Sequence, residues 1–242
     1  MLLVPWSAAP RALELVALDV GHGTAVVFRA PGAGTWVFDA GSRDRPGVAR
    51  AAVGPLLRRW EAAEVSVVLS HGDRDHDGAL PWLVERHPPR LHAGALPARL
   101  AVRLPHACAV VDAGQGALSL AAGGGLALEL ARGAAVPGNE GSRTLALRWG
   151  GARVVLAGDA EQEGLAGWLA GRVPEPARLL LWPHHGSETP WLGRLLAHTR
   201  PAEVWVSAAG LPPIAGELDR RGVRWRCTAV DGPLALTLGG PP

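Results

Sequence analysis

A chain of 242 residues that is 48% hydrophobic is long enough to bury a large core, as one domain or two small ones, which excludes a largely disordered protein. Its formal net charge of only +2 gives no bulk electrostatic reason to bind nucleic acid, so any recognition of phosphate must be local. All the basic residues are arginine and tyrosine is absent, a bias that reads as coding preference and leaves the substrate open.

The opening run Met1 to Trp6 is apolar but too short to span a bilayer, and no signal-peptide core with a cleavage site follows it. Short β-type runs then recur at Leu13 to Leu18, Ala25 to Phe28, Thr35 to Phe38 and Val65 to Leu69, the last reading as buried on both faces. Between them Val48 to Trp60 has helical composition, with Gly54-Pro55 expected to break or kink it. Gly78 to Arg86 reads as a second helix, and the stretch from Leu91 to Ala135 carries the weakest pattern. Within it, Gly123, Gly124 and Gly125 mark the turn of a hairpin pairing Ala117 to Leu120 with Leu126 to Leu130.

The second half repeats this style. Thr144 to Trp149 and Arg153 to Leu156 flank the turn Gly150-Gly151, and a helix over Ala160 to Ala170 follows. A strand at Leu179 to Trp182, a helix near Pro190 to His198, a strand at Glu203 to Ser207 and closing strands around Val223 and Leu234 complete the chain. The alternation predicts an α/β protein, one domain over 1–242, with two sheets packed face to face under helices. Cys108 and Cys227 lie far apart and form no CxxC pair, which excludes a zinc knuckle and a thioredoxin motif; whether they bridge is left open.

Three apolar strands end in residues that ligate metals. Val65 to Ser70 stops at His71-Gly72-Asp73-Arg74-Asp75-His76-Asp77-Gly78, Arg153 to Ala157 at Gly158-Asp159, and Leu179 to Trp182 at Pro183-His184-His185-Gly186-Ser187. Charged side chains at the ends of buried strands must be paired or metal-bound if sequestered. Adjacent and alternate positions of the first loop can point at two ions, His71 and Asp73 toward one, Asp75 and His76 toward the other. Against this stands a blander reading of a solvated turn in which Asp77 caps a helix at Gly78.

In order along the chain, Leu18-Asp19-Val20-Gly21-His22-Gly23, Phe38-Asp39-Ala40-Gly41, Ser70 to Gly78, Asn139 with Ser142, Ala157-Gly158-Asp159 and His184-His185-Gly186-Ser187 resemble the metallo-β-lactamase domain of ComEC-type DNA-uptake proteins. The resemblance implies an αββα sandwich of two mixed β-sheets flanked by helices, a site at one edge of the sheets, and hydrolysis of phosphodiesters. It implies metal ligation by His71, Asp73, Asp75, His76, Asp159 and one of His184 and His185, with Asp159 shared between two divalent ions; His185 is the favoured ligand and His184 the supporting or proton-donating partner. Asp75 joins His184 as a catalytic candidate, and Arg74, Asn139 and Ser187 are the candidates for substrate contact. Asp73 stands where the commonest motif has a second His, a hard ligand that favours manganese without excluding zinc. Asn139 replaces a third-motif His, which predicts weak or exchangeable binding of the first ion.

The family implies single-stranded DNA or another phosphodiester as substrate, no organic cofactor, and a membrane channel within the same longer protein, Leu2 to Trp6 being the tail of a membrane segment. The domain would then face the extracytoplasmic side; a standalone protein would be cytoplasmic. Four departures weaken the nuclease reading: Thr24 for Asp, Ala79 for Gly, Leu181 for Lys, and no His near Leu211-Pro212-Pro213. A hydrolase of small esters, lactones or phosphate esters, and a catalytically weak DNA- or metal-binding module, are the rival readings.

The remaining residues take plainer expectations. Asp39 either hydrogen-bonds within the ligand loop or forms a turn, Ser187 caps a helix, and Arg43, Arg45 and Arg74 sit beside the predicted site, where they either hold phosphates or simply belong to an arginine-rich surface. His22, His87, His92, His106 and His198 read as surface or locally bonded residues, and Trp82, Trp168, Trp182 and Trp191 as core or pocket lining.

Overall fold

The structure is a computed structural model that describes residues 10–114 and 116–240. Six strands, β1 (Ala12–Ala17), β2 (Ala25–Ala30), β3 (Gly34–Ala40), β4 (Val65–Leu69), β5 (Pro89–Gly94) and β6 (Ala109–Val111), lie side by side in chain order. The next seven, β7 (Gly116–Ala121), β8 (Ala127–Arg132), β9 (Arg143–Trp149), β10 (Ala152–Leu156), β11 (Leu179–Leu181), β12 (Val204–Val206) and β13 (Trp225–Cys227), form a second sheet, also in chain order. The last strand, β14 (Leu234–Gly239), returns to pair with β1, so each sheet has seven strands.

Both sheets are mixed, and in the same way. Pairing is antiparallel through β14, β1, β2 and β3 and parallel through β3, β4, β5 and β6. The second sheet is antiparallel from β7 to β10 and parallel from β10 to β13. Parallel neighbours need crossovers, which the helices supply.

Alternation explains the layers. In β1 every second residue, Leu13, Leu15 and Ala17, points inward to meet Phe28, Trp36, Phe38, Leu130, Leu145, Leu156 and Trp205 between the sheets. The helices α1 (Val48–Arg59), α2 (Arg74–Asp77), α3 (Leu80–Arg86) and α4 (Ala98–Ala101) come from the first half. Of these, α1, α3 and α4 cover the first sheet with Val53, Leu57, Leu80, Leu83 and Leu100. On the other face α5 (Gln162–Leu169), α6 (Leu192–Thr199) and α7 (Ala215–Arg220) cover the second sheet with Leu165, Trp168, Leu195 and Leu218. Each such fully buried side chain contributes about 1.5–3 kcal/mol, so the three apolar layers fix the sheets firmly enough to aim loops from their edge.

Several expectations change. Pro55 lies inside α1 without breaking it, because Ala51 and Pro55 are both on the exposed face and water can take the carbonyl left without a donor. Asp77 does not cap the next helix; α3 starts after Ala79, and Asp77 accepts from Arg99 instead. The weakly patterned middle third holds β5, α4 and β6 as well as the expected hairpin of β7 with β8. Cys108 and Cys227 are free thiols. No helix among the described residues is long and apolar enough to cross a membrane, and Leu2 to Trp6 lie outside them.

Candidate metal centre

The parallel halves of both sheets send their C-terminal ends to one edge. There β3 delivers Asp39, β4 delivers Ser70 and His71, β10 delivers Asp159, β11 delivers His184 and His185, and β12 delivers Ser207. Side chains converge where parallel strands end, and the loops after them are free to vary.

Two glycines let the segments close on one another. A Cβ at Gly41 would lie 2.3 Å from the backbone nitrogen of His76, so only glycine lets the ligand loop rest on the end of β3. Gly158 has φ +58, and a Cβ there would meet Ser142 Oγ at 2.5 Å. Asp39, His184 and His185 take φ of 53, 47 and 51 without being glycine. Each such residue costs about 1–2 kcal/mol, strain that collects where side chains are aimed rather than merely packed.

The imidazoles and carboxylates form two overlapping groups. Asp75, His76, Asp159 and His185 can bring one ligand atom each within 4.8 Å of one another, and so can His71, Asp73 and Asp75. His76 Nε2 is 3.1 Å from Asp159 Oδ1, and His185 Nε2 is 3.5 Å from Asp159 Oδ2 and 3.6 Å from Asp75 Oδ2. His71 Nε2 is 3.5 Å from Asp73 Oδ2. Asp75 belongs to both groups, whereas the family resemblance gave the shared position to Asp159.

The far nitrogens of these rings are anchored. Asp39, fully buried, accepts from the backbone and hydroxyl of Ser70 at 2.8 Å each and lies 2.7 Å from His76 Nδ1. His185 Nδ1 is 3.0 Å from the carbonyl of Ser207, whose own hydroxyl donates to Gly23. Ser142 Oγ accepts from the Asp159 backbone and lies 3.5 Å from His71 Nδ1.

That leaves the near nitrogens. Nε2 of His71, of His76 and of His185 are each buried and face carboxylate oxygens at 3.1–3.6 Å without forming a well-aligned hydrogen bond. A buried polar atom without a well-formed hydrogen bond carries a desolvation penalty, which a cation held between these imidazoles and the facing carboxylates would offset. Borderline imidazoles with hard carboxylates suit zinc or manganese. The residues therefore fit a divalent metal.

Charge points the same way. Burial alone would pull the His76 imidazole down, yet Asp159 and Asp39 on either side lift its pKa well above the usual value. Burial would raise Asp159, but His76, His185 and His71 hold it well below the carboxylate range. Asp75, despite burial, is drawn down to about 2 by the imidazoles of His185 and His76. With these aspartates ionised near neutral pH, the pocket favours positive charge.

The other predicted residues sit around this centre. His184 stands on the wall of a cleft of about 440 Å³ that also exposes Asp75, Asp159, Asn139, Arg43 and Arg74. Its Nδ1 is 2.8 Å from Glu161 Oε1, and Asn139 Nδ2 donates to the same oxygen. Ser187 caps no α-helix with its side chain; it lines a neighbouring cleft on the other side of His184. Arg45 pairs with Asp19.

His22 gains a role beyond its expected one. Read as a surface or locally bonded residue, it lies 3.7 Å from Asp75 and stacks at a tilt on His185, with ring centroids 4.6 Å apart. Arg99 and Ser207 carried no signal in the sequence: the first lies in the weakly patterned region, and Ser207 acts through its backbone carbonyl. The position of Glu161 two residues after Asp159 was the only available hint of its role.

Residues 18–208 match the sequence profile of the metallo-beta-lactamase superfamily. The chain belongs to that superfamily. Its two mixed seven-stranded sheets under helices are the superfamily's sandwich, as the sequence predicted. No curated protein matches the sequence.

Among solved structures, a variant of the CmlA β-hydroxylase superposes with a TM-score of 0.61 at 14% identity, covering 96% of this chain. The chain spans only 55% of that hydroxylase. Zinc-bound PqqB from Methylobacterium extorquens gives 0.57 at 16% identity, covering 93% of this chain and 100% of PqqB. The short form of human tRNase Z gives 0.52 at 16% identity, covering 81% and 92%. At such identities these likenesses speak for the fold, and the superfamily's sites are those of metal-dependent hydrolases.

Proposed function

We propose that this superfamily member is a divalent-metal-dependent phosphodiesterase that degrades single-stranded DNA in competence-type uptake, facing the extracytoplasmic side beside a membrane channel of the same longer protein. The observation that carries the hydrolytic reading is the trio of buried Nε2 atoms of His71, His76 and His185, which face carboxylates without well-formed hydrogen bonds. A tRNase on the same fold supports a phosphodiester substrate, and zinc on PqqB supports a metal. The DNA-uptake likeness rests on the motifs from Leu18 to Ser187.

His71, Asp73 and Asp75 would hold one ion, and Asp75, His76, Asp159 and His185 the other. Such ions, when bound, polarise phosphoryl oxygens and make water acidic enough to attack at neutral pH. The protein's own part is orientation and proton handling. Asp39 and the Ser207 carbonyl fix the rings of His76 and His185, so their Nε2 atoms need no rearrangement to serve. Arg43 and Arg74, on the cleft wall, offer charged forks to the phosphates. Glu161 accepts from His184 Nδ1, and Nε2, 3.3 Å from the Asn139 amide nitrogen, is the atom through which His184 would pass a proton to the leaving oxygen once Nε2 has taken one up.

The test is turnover of bis(4-nitrophenyl) phosphate and of end-labelled single-stranded DNA with manganese, with zinc and with chelator. Cleavage of both that needs metal and is lost in Asp75→Ala, His76→Ala is the expected result. Turnover of carboxylic esters alone would overturn it.

A further inference from the structure

We infer that an arginine-lined track across the outer face of α1 and α3 holds the uncleaved flank of a single-stranded nucleic acid, in phosphate contacts separate from the metal centre. This rests on the phosphodiesterase reading and extends it from a bond to a polymer.

Three clefts adjoin. The one over the metal centre shares Arg43, Arg74 and Arg99 with a second, of about 370 Å³. The second shares Pro46, Gly47, Arg50 and Trp82 with a third, of about 690 Å³, which continues to Arg58 and Arg86. The path thus leaves the cluster on one side and runs along α1.

Its charge is one-sided. Arg43, Arg50, Arg58, Arg74 and Arg86 are all exposed, and none has a carboxylate within 4.0 Å among the described residues. The one acidic residue lining the outer two clefts is Asp77, and Arg99 already neutralises it. Glu85 on α3 is taken by Arg103. In a chain of net charge +2, a face of this kind is a local excess, which is what a polyanion selects.

Its shape is also built. Gly47, Arg50, Ala51, Pro55 and Arg58 recur at helical spacing, so small residues form a floor between two arginines about 12 Å apart along the axis. Gly54 has no side chain, and a Cβ there would lie 2.8 Å from Trp82, so the indole seats directly on α1. Arg50 lies over that ring, 5.4 Å from its centroid. The Arg50 guanidinium, backed by the indole, offers unstacked bases a planar surface, and the unpaired arginines beside it offer their backbone a charged rail; a duplex hides its bases from the first. This favours single strands over duplexes.

The experiment is fluorescence anisotropy of labelled dT20, rU20, dT4 and a 20-base-pair duplex, in chelator so that nothing is cut. The wild type and Arg50→Ala/Arg58→Ala/Arg86→Ala are titrated over a range of salt. The expected result is binding of a 20-mer at least tenfold tighter than of dT4 or the duplex, lost at least tenfold in the triple variant. The slope of log affinity against log salt should become shallower by about 2, three contacts at roughly 0.7 each. The two 20-mers tell a deoxyribose from a ribose source. Equal binding by wild type and variant, no binding by either, or equal competition by polyglutamate would overturn the track.

Turnover of bis(4-nitrophenyl) phosphate, measured in parallel with metal, should be the same in wild type and triple variant. Absence of that turnover in both, with dT20 binding intact, would sink the phosphodiesterase reading and leave the track standing.

Discussion

The two ligand groups share Asp75 but are built to different standards. In the group of Asp75, His76, Asp159 and His185, three members are buried, and every imidazole is tied behind by a carboxylate or carbonyl. In the group of His71, Asp73 and Asp75, the Asp73 side chain is 60% exposed, and the partners behind His71 are hydroxyls of Ser70 and Ser142. A hydroxyl can donate or accept as needed and holds a tautomer less firmly than an ionised carboxylate does. The difference teaches that ligand count alone does not rank two sites; what stands behind the rings does. If each group takes an ion, the first should hold it tightly and the second exchangeably, the outcome also expected from Asn139 in place of a third-motif His.

The comparison breaks most visibly at Asp159. Removing it by Asp159→Ala takes a charge from the tight group while leaving the apolar layers intact. Metal content of the purified protein should fall below that of the wild type, and metal-dependent turnover by roughly 100-fold or more, since ligands matter at least as much as the residues behind them. The thermal shift on adding metal should shrink with it. At free metal about 100 times the dissociation constant, binding stabilises the wild type by about 2.7 kcal/mol. A variant that keeps both its metal and its thermal shift would put Asp159 outside the site.

A pair of milder changes sharpens the contrast. Asp39→Asn keeps the shape behind His76 but removes the charge, and the tighter metal equivalent should weaken about 10- to 100-fold. Asp73→Ala should weaken only the looser equivalent, by less than about tenfold, because its carboxylate already spends much of its time in water. Titration calorimetry of the metal-free protein resolves the two equivalents. If Asp73→Ala proves the more damaging, burial and outer hydrogen bonds are the wrong measure of these sites.

The sequence makes the tight group the easier to see. Val65 to Leu69, Val154 to Leu156 and Leu179 to Leu181 are short apolar runs in strands that are almost wholly buried, so a His or Asp at their ends stands out against an apolar background. Asp39 was visible but ambiguous, since a turn and a buried carboxylate look alike in Phe38-Asp39-Ala40-Gly41. Which role it takes depends on Ser70 and His76, more than thirty residues away. The place of His22 beside the site was hidden for the same reason, because only the closure of glycine segments brings its loop onto Asp75. Strands β5 and β6 were missed where the periodicity is weak and β6 is largely exposed at a sheet edge. The arginine stripe of α1 has a readable period, but in a chain whose only basic residue type besides histidine is arginine it did not stand out.

The smallest effect tests whether the looser group owes its position to a half-buried ion pair. Arg143 donates to Asp112 from Nε at 2.7 Å and again from its guanidinium end, and it also donates to the carbonyl of Ser70, next to His71. Burial would raise Asp112, but the hydrogen bonds and charge of Arg143 hold its pKa below the ordinary 3.8. A depressed carboxylate adds stability that is present above the unfolded value and disappears as pH falls through the folded one. In Asp112→Asn the urea midpoint at pH 6 should correspond to a loss of about 0.5 kcal/mol, kept small because solvent screens a partly exposed pair. The gap from the wild type should then close as the pH is lowered through 3.8 and below, where the wild-type pair is itself protonated away. A gap that stays open at low pH would mean that Arg143 braces the His71 loop through the Ser70 carbonyl alone, and that the ion pair is incidental to the looser site.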